Sequence, residues 1–146
     1  IPITTDITGS VSAQTGVSGI EVGGSGKPIT DVQISNSNID GTGGTTDFKG
    51  IQTYNVNRGS IFGNTIKGVV TGTTYGIKIT GNSGTVGFIN VYGNNLYTFD
   101  DGITEVNAGV DPDWNLYIGN ITHTCTNEIT TVGSNSSVPT GVNLVA

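Results

Sequence analysis

The sequence predicts an all-β chain in which short parallel strands wind into a coil and stack turn upon turn. Three observations carry this expectation. The first is composition: 11% of the residues are charged and 24 of the 146 are Gly. Amphipathic helices need many charged residues on their solvent face, whereas the abundant Thr, Val, Ile, Asn and Gly belong to strands and turns. The second is a repeat. Gly-Ile recurs at Gly19-Ile20, Gly50-Ile51, Gly76-Ile77 and Gly102-Ile103, followed by Glu128-Ile129, and the isoleucines lie 31 and then 26, 26 and 26 residues apart. The third is a bend motif in the same phase: "VQISNSNIDG" (32–41), "GSIFGNTIKG" (59–68) and "INVYGNNLYT" (89–98).

Taken in order, residues 1–16 read as an amino-terminal cap or irregular turn, and residues 17–146 as one coiled domain. Each Ile opens a short alternating segment: IEV at 20–22, IKI at 77–79, ITEV at 103–106 and ITTV at 129–132. The bend motifs give two further inward columns, Ile34, Ile61 and Val91 before the bend and Ile39, Ile66 and Leu96 after it. A strand this short cannot bury an apolar face alone. Stacked on its equivalents ~4.8 Å away, it contributes to a continuous aliphatic row that touches only neighbouring repeats.

The Gly-Asn pairs suit a corner that needs φ > 0, and Ser37, Asn64 and Asn94 are placed to exchange amide hydrogen bonds between turns. "LYIGNITH" (116–123) is read as the same motif with one residue missing, so its bend is expected to differ. "GGSGKP" (23–28), "TGNSGTVG" (80–87) and "NAGVDPD" (107–113) are variable loops. The apolar end "VPTGVNLVA" (138–146) is expected to leave a strand edge open. An antiparallel sandwich also uses short strands, but it does not require the equal spacing.

The Gly-Ile openings and the bends "IFGNTI" (61–66) and "VYGNNL" (91–96), over roughly residues 17 to 132, resemble the right-handed parallel β-helix proteins of the pectate-lyase-like group, which includes many phage tailspikes. The resemblance implies a single-stranded right-handed parallel β-helix of about five turns with three short strands per turn. It also implies an extracellular, secreted or virion-surface setting, a polysaccharide ligand and trimeric packing. Open strand edges would equally permit end-to-end stacking into a filament.

Composition also excludes partners. The net charge of −6, from 11 acids against 5 bases, leaves no basic patch for nucleic acid, and no apolar run is long enough to span a bilayer. A start at Ile1 without Met suits a processed, exported chain. The lone Cys125 reads as a small buried hydrophobe. His123 beside it cannot complete a zinc site, "GGSGK" (23–27) lacks the spacing of a phosphate loop, and Asn120 and Asn135 head glycosylation sequons.

Candidate chemistry concentrates in "FDDGITEVNAGVDPDW" (99–114). Polysaccharide cleavage uses two carboxyls about 5 to 10 Å apart, and Asp101 with Glu105 is the candidate catalytic pair, although Glu105 falls near an inward column. The Asp-Asp pair resembles the polygalacturonase branch, whose Asn-Thr-Asp, Gly-His and Arg-Ile-Lys motifs are missing here. The lyase branch would need a basic residue beside its acids, and Arg58 lies about two turns away. Solvated corner acids are the simpler reading. Asp111 and Asp113 are the candidate ligands for Ca²⁺, and no other cofactor is expected. Phe62 and Tyr92 fall at equivalent outward positions, with Tyr117 near the next one and Trp114 at the start of that wall. These four form a candidate aromatic surface for sugar rings or a neighbouring chain. The expected function is a β-helix module that binds surface polysaccharide or builds an appendage. The alternatives are a polysaccharide hydrolase or lyase of the tailspike type, and a structural subunit stacking end to end.

Overall fold

The computed structural model describes residues 2–3, 6–7, 18–24, 28–43, 46–70, 72–139 and 143–145. The chain opens with β1 (Pro2–Ile3) and β2 (Asp6–Ile7). Four complete windings follow: β3 (Ser18–Gly23), β4 (Ile29–Ser35) and β5 (Asn38–Asp40); β6 (Lys49–Tyr54), β7 (Val56–Phe62) and β8 (Thr65–Lys67); β9 (Tyr75–Gly81), β10 (Gly87–Tyr92) and β11 (Asn95–Tyr97); β12 (Asp101–Asn107), β13 (Leu116–Ile118) and β14 (Ile121–His123). β15 (Asn127–Thr130) and β16 (Leu144–Val145) complete the order.

Every pairing joins a strand to its equivalent in the adjacent winding, in parallel. Three walls result: a first of β3-β6-β9-β12-β15, a second of β1-β4-β7-β10-β13 and a third of β2-β5-β8-β11-β14-β16. This is the parallel β-helix expected, consistent with the right-handed sense of parallel crossovers. Four windings are complete rather than five. After β15 the second wall continues, among the described residues, as a single bridge between Leu116 and Ser137. Apart from β1 and β2, the cap expected over 1–16 lies outside the described residues.

The isoleucine repeat forms one row. Ile20 pairs with Ile51, Ile51 with Ile77, Ile77 with Ile103 and Ile103 with Ile129. The second-wall row Ile34, Ile61, Val91 and the third-wall row Ile39, Ile66, Leu96 are in register as expected, and all six are at most 1% exposed. Each such burial contributes roughly 1.5–3 kcal/mol, against about 1 kcal/mol net for a neutral hydrogen bond. The aliphatic rows therefore carry most of the stability.

The Gly before each Ile is a matter of space. A Cβ at Gly50 would lie 2.3 Å from Ile66 Cγ2 and 2.6 Å from the Gly76 carbonyl oxygen, and Gly19, Gly76 and Gly102 meet third-wall side chains in the same way. Through the four complete windings the first wall runs too close to the third for any side chain there, and Glu128 takes the place only after them. Phe48 and Phe99, both 0% exposed and stacked with centroids 6.3 Å apart, fill the corner between these walls. Cys125 packs partly buried against the core, its thiol pushed up by that burial.

The corner between the second and third walls always has two residues: 36–37, 63–64, 93–94 and 119–120. Its first residue is left-handed, with φ of 52° at Asn36, 64° at Gly63, 63° at Gly93 and 65° at Gly119. Its second residue builds a ladder. The amide N–H of Ser37 donates to Asn64 Oδ1, that of Asn64 to Asn94 Oδ1, that of Asn94 to Asn120 Oδ1 and that of Asn120 to Asn143 Oδ1. Each Asn Nδ2 also donates back to a second-wall carbonyl, of Ile34, Ile61, Val91 and Tyr117 in turn. Asn120 and Asn143 extend the ladder beyond the three residues expected. The bend at Gly119-Asn120 is not altered: Asn90 pairs with Leu116 and Asn95 with Ile121, so no residue is missing.

Candidate functional site

The outer face of the second wall carries most of the exposed rings. Strand alternation turns Gln33, Ser60, Asn90 and Leu116 outward in one row, and Ser35, Phe62, Tyr92 and Ile118 in the next. Phe62 and Tyr92 are parallel within 2°, their centroids 4.9 Å apart, an offset-stacked arrangement. A third row lies on the other side. The pairing of Thr30 with Asn57 and of Val32 with Gly59 steps over Asp31 and Arg58, which bulge, and Phe88 and Trp114 hold the same place in the next two windings. All four are left-handed, with φ of 59°, 66°, 55° and 59°. Phe88 and Trp114 stack within 3° at 6.2 Å.

Left-handed backbone favours Gly, Asn or Asp and is costly for bulky side chains. Asp31 suits the bulge; Phe88 and Trp114 do not, and at 48% and 58% exposure they are little used in packing. Two ring pairs thus flank a row that is polar through Asn90 and ends in Leu116. Along β10 the step from Phe88 to Asn90 and from Asn90 to Tyr92 is roughly 7 Å each. Of the expected aromatic set, Phe62, Tyr92 and Trp114 lie on this face. Phe88 was missed, although it stands four residues before Tyr92 as Trp114 stands four before Ile118.

Tyr117 does not belong to this surface. It pairs with inward Val91 and is 0% exposed. Treating "LYIGNITH" as one residue short shifts the register by one, and in a strand that inverts every side chain. Tyr117 meets Glu105 instead, which pairs with inward Ile79 and is 2% exposed. Glu105 Oε1 accepts from Tyr117 Oη at 2.6 Å and Asn115 Nδ2 at 2.8 Å; Oε2 accepts from the amides of Val132 and Gly133 at 2.9 Å each. Asn115 Oδ1 in turn accepts from the Ile89 amide at 2.9 Å. A buried carboxylate needs this full complement of donors. Burial, then the Glu105 charge, holds the Tyr117 hydroxyl well above its ordinary range.

The remaining acids are scattered. Asp101 is half-buried at the start of β12, where it accepts from Asn127 Nδ2 at 2.7 Å, so it and inward Glu105 share no surface cleft. Asp111 accepts from Asn107, and Asp113 accepts from the amide and side chain of Asn135, bonds that lower its pKa. Among the described residues no three His, Cys, Asp or Glu side chains converge as a metal group. His123 stacks on Tyr97 at 4.3 Å on the third wall. Asn120 of the first sequon is 0% exposed in the ladder, whereas Asn135 of the second is exposed. At the carboxyl end a cavity of about 290 Å³ opens among Thr122, Ile129, Val138, Asn143 and Val145.

No family model matches the chain, and neither a curated protein nor a solved structure matches it, so the assignment of this site rests on its own geometry.

Proposed function

We propose that the chain is a glycan-binding module of an extracellular or virion-surface protein, related to the tailspike-like members of the pectate-lyase-like group, and that the second wall's outer face is its binding surface. The observation that carries this reading is the pair of surface ring stacks, half-buried Phe62 on exposed Tyr92 and exposed Phe88 on exposed Trp114, on one sheet face. Aromatic faces recognise the C–H faces of sugar rings, and exposed apolar patches rimmed by polar groups mark interaction sites. Trp114→Ala with Tyr92→Ala is expected to lower affinity for a bound polysaccharide by at least about tenfold while thermal unfolding stays within a few degrees. The measurement is affinity electrophoresis over a glycan panel; an unchanged mobility shift in the double variant defeats the reading.

A second reading, assembly through the end of the coil, draws on the exposed Val138 and Val145 lining the terminal cavity and on exposed Val132 and Leu144 in the same carboxyl-terminal stretch. Sedimentation over a concentration series distinguishes it from a monomer.

A further inference from the structure

We propose that the second wall selects a neutral polysaccharide, one without uronate, sialate or sulfate groups. This inference rests on the glycan reading and specifies its ligand. Acidic sugars are recognised chiefly by Arg and Lys, through charge-assisted and often bidentate hydrogen bonds. Among the described residues, Lys49 and Lys78 belong to first-wall strands and Lys67 to the third wall; Arg58 is the one cation on the second wall. Arg58 is exposed and shared with an acid, its Nη2 3.0 Å from Asp31 Oδ2, so its charge is offset at the surface. Asp31 and Asp113 are the acids beside the ring rows, so local charge at the patch is negative, as is the whole chain at −6. A polyanion laid along this face would find net repulsion and, among the described residues, a single Arg already shared with Asp31.

What the face does offer is neutral hydrogen-bonding capacity between apolar strips. Asn90 is exposed between Phe88 and Tyr92, and the same row continues into half-buried Ser60 beside Phe62 and exposed Gln33 in the first winding. None of these side chains makes a hydrogen bond within the described structure. Amide and hydroxyl groups of this kind supply both donors and acceptors, the complement of sugar hydroxyls. Rings on either side would cover the C–H faces of neighbouring sugar units. The left-handed bulge adds a third argument. A position suited to Asp in the first complete winding carries Phe88 and Trp114 in the third and fourth, where the backbone gains nothing from a ring. Beyond their stack on each other, their exposed faces are free to meet a ligand.

The test is affinity electrophoresis on a neutral panel (dextran, mannan, galactomannan, arabinoxylan) and an acidic panel (polygalacturonate, alginate, hyaluronan), at low salt and at about 0.5 M salt. At least one neutral polymer is expected to retard the protein, equally at both salt concentrations. Phe88→Asn keeps a residue tolerant of φ 55° and so preserves the coil, as its melting temperature would verify; it is expected to weaken neutral-glycan binding by roughly tenfold or more. Asn90→Ala is expected to weaken it too. Tight, salt-sensitive binding to an acidic polymer would overturn the neutral assignment and leave the glycan reading standing. Silence on both panels would overturn both. A trimer that dissociates on Phe88→Asn would place a second copy on this face and overturn the inference as well.

Discussion

The middle windings and the fourth winding bury equivalent positions with different chemistry. In the first wall, Thr53 and Ile79 precede Glu105 in one inward row; in the second, Ile61 and Val91 precede Tyr117; in the third, Ile66 and Leu96 precede Thr122. The middle of the coil is thus largely aliphatic, and its residues need only be the right size. The fourth winding is polar, and each of its groups needs a partner of the right kind in the right place. Glu105 meets that demand with four donors from two segments, two of them backbone amides beyond β15. An aliphatic row holds adjacent windings together without preference for direction. The carboxylate instead ties the fourth winding to the chain that follows it.

The contrast is sharpest at Glu105. Glu105→Ala leaves three buried donors and the part-buried Val132 amide unpaired as well as a cavity, at ~1–3 kcal/mol per orphaned buried group before relaxation. A loss of about 4 kcal/mol or more is expected, against about 1 kcal/mol for Ile79→Val one winding away. Urea denaturation of both variants measures this, and similar losses would erase the distinction drawn here. Asn94→Ala comes next. It removes the rung that accepts from Asn64 and donates to Asn120 and to the Ile61 carbonyl, and about 2 kcal/mol is expected to be lost. Hydrogen exchange should show faster exchange of the Asn64 amide than of amides in the first wall.

The smallest effect at neutral pH, and the most specific, concerns Tyr117. Its proton is held in the fold well above the ordinary 10.0, whereas the unfolded chain releases it near that value. The native state then binds more protons than the unfolded one. Stability from this group is full below pH 10 and falls as pH rises beyond it, by up to about 1.4 kcal/mol per pH unit. Melting temperatures between about pH 9 and 11.5 should decline more steeply for the native sequence than for Tyr117→Phe; parallel curves would show that the hydroxyl is not confined as described.

Much of this architecture was legible because it repeats. The Gly-Ile openings, the Ile61 and Ile66 rows and the Gly63-Asn64 corner each recur in phase, and recurrence substitutes for knowledge of tertiary contacts. The breakdown came where the pattern changes chemistry. Tyr117 and Thr122 occupy inward places that Val91 and Leu96 fill one winding earlier, and an apolar template therefore slid past them by a residue. The constant 26-residue step from Val91 to Tyr117 held the answer, but hydropathy outweighed it. Glu105 was suspected of facing inward from its spacing, yet its partners Val132 and Gly133 donate through backbone and leave no trace in residue type. Phe88 is hidden in the sequence because its equivalents in the two preceding windings, Asp31 and Arg58, share only a backbone angle with it, and Trp114 alone repeats its aromatic character.

The three corners differ in how much length they accept. Between the third and first walls the connection runs to eight residues at 41–48 and three at 98–100; between the first and second it runs from one residue, at 55, to eight at 108–115. The remaining corner keeps two throughout, because a third residue would displace the Asn rung and rotate the next strand out of phase. Foreign sequence grafted into this scaffold would therefore be accommodated along two of its edges and rejected along the third. Loop grafts at the corner between the first and second walls would emerge beside Phe88 and Trp114, so new specificity is most readily added next to the face that already carries the rings.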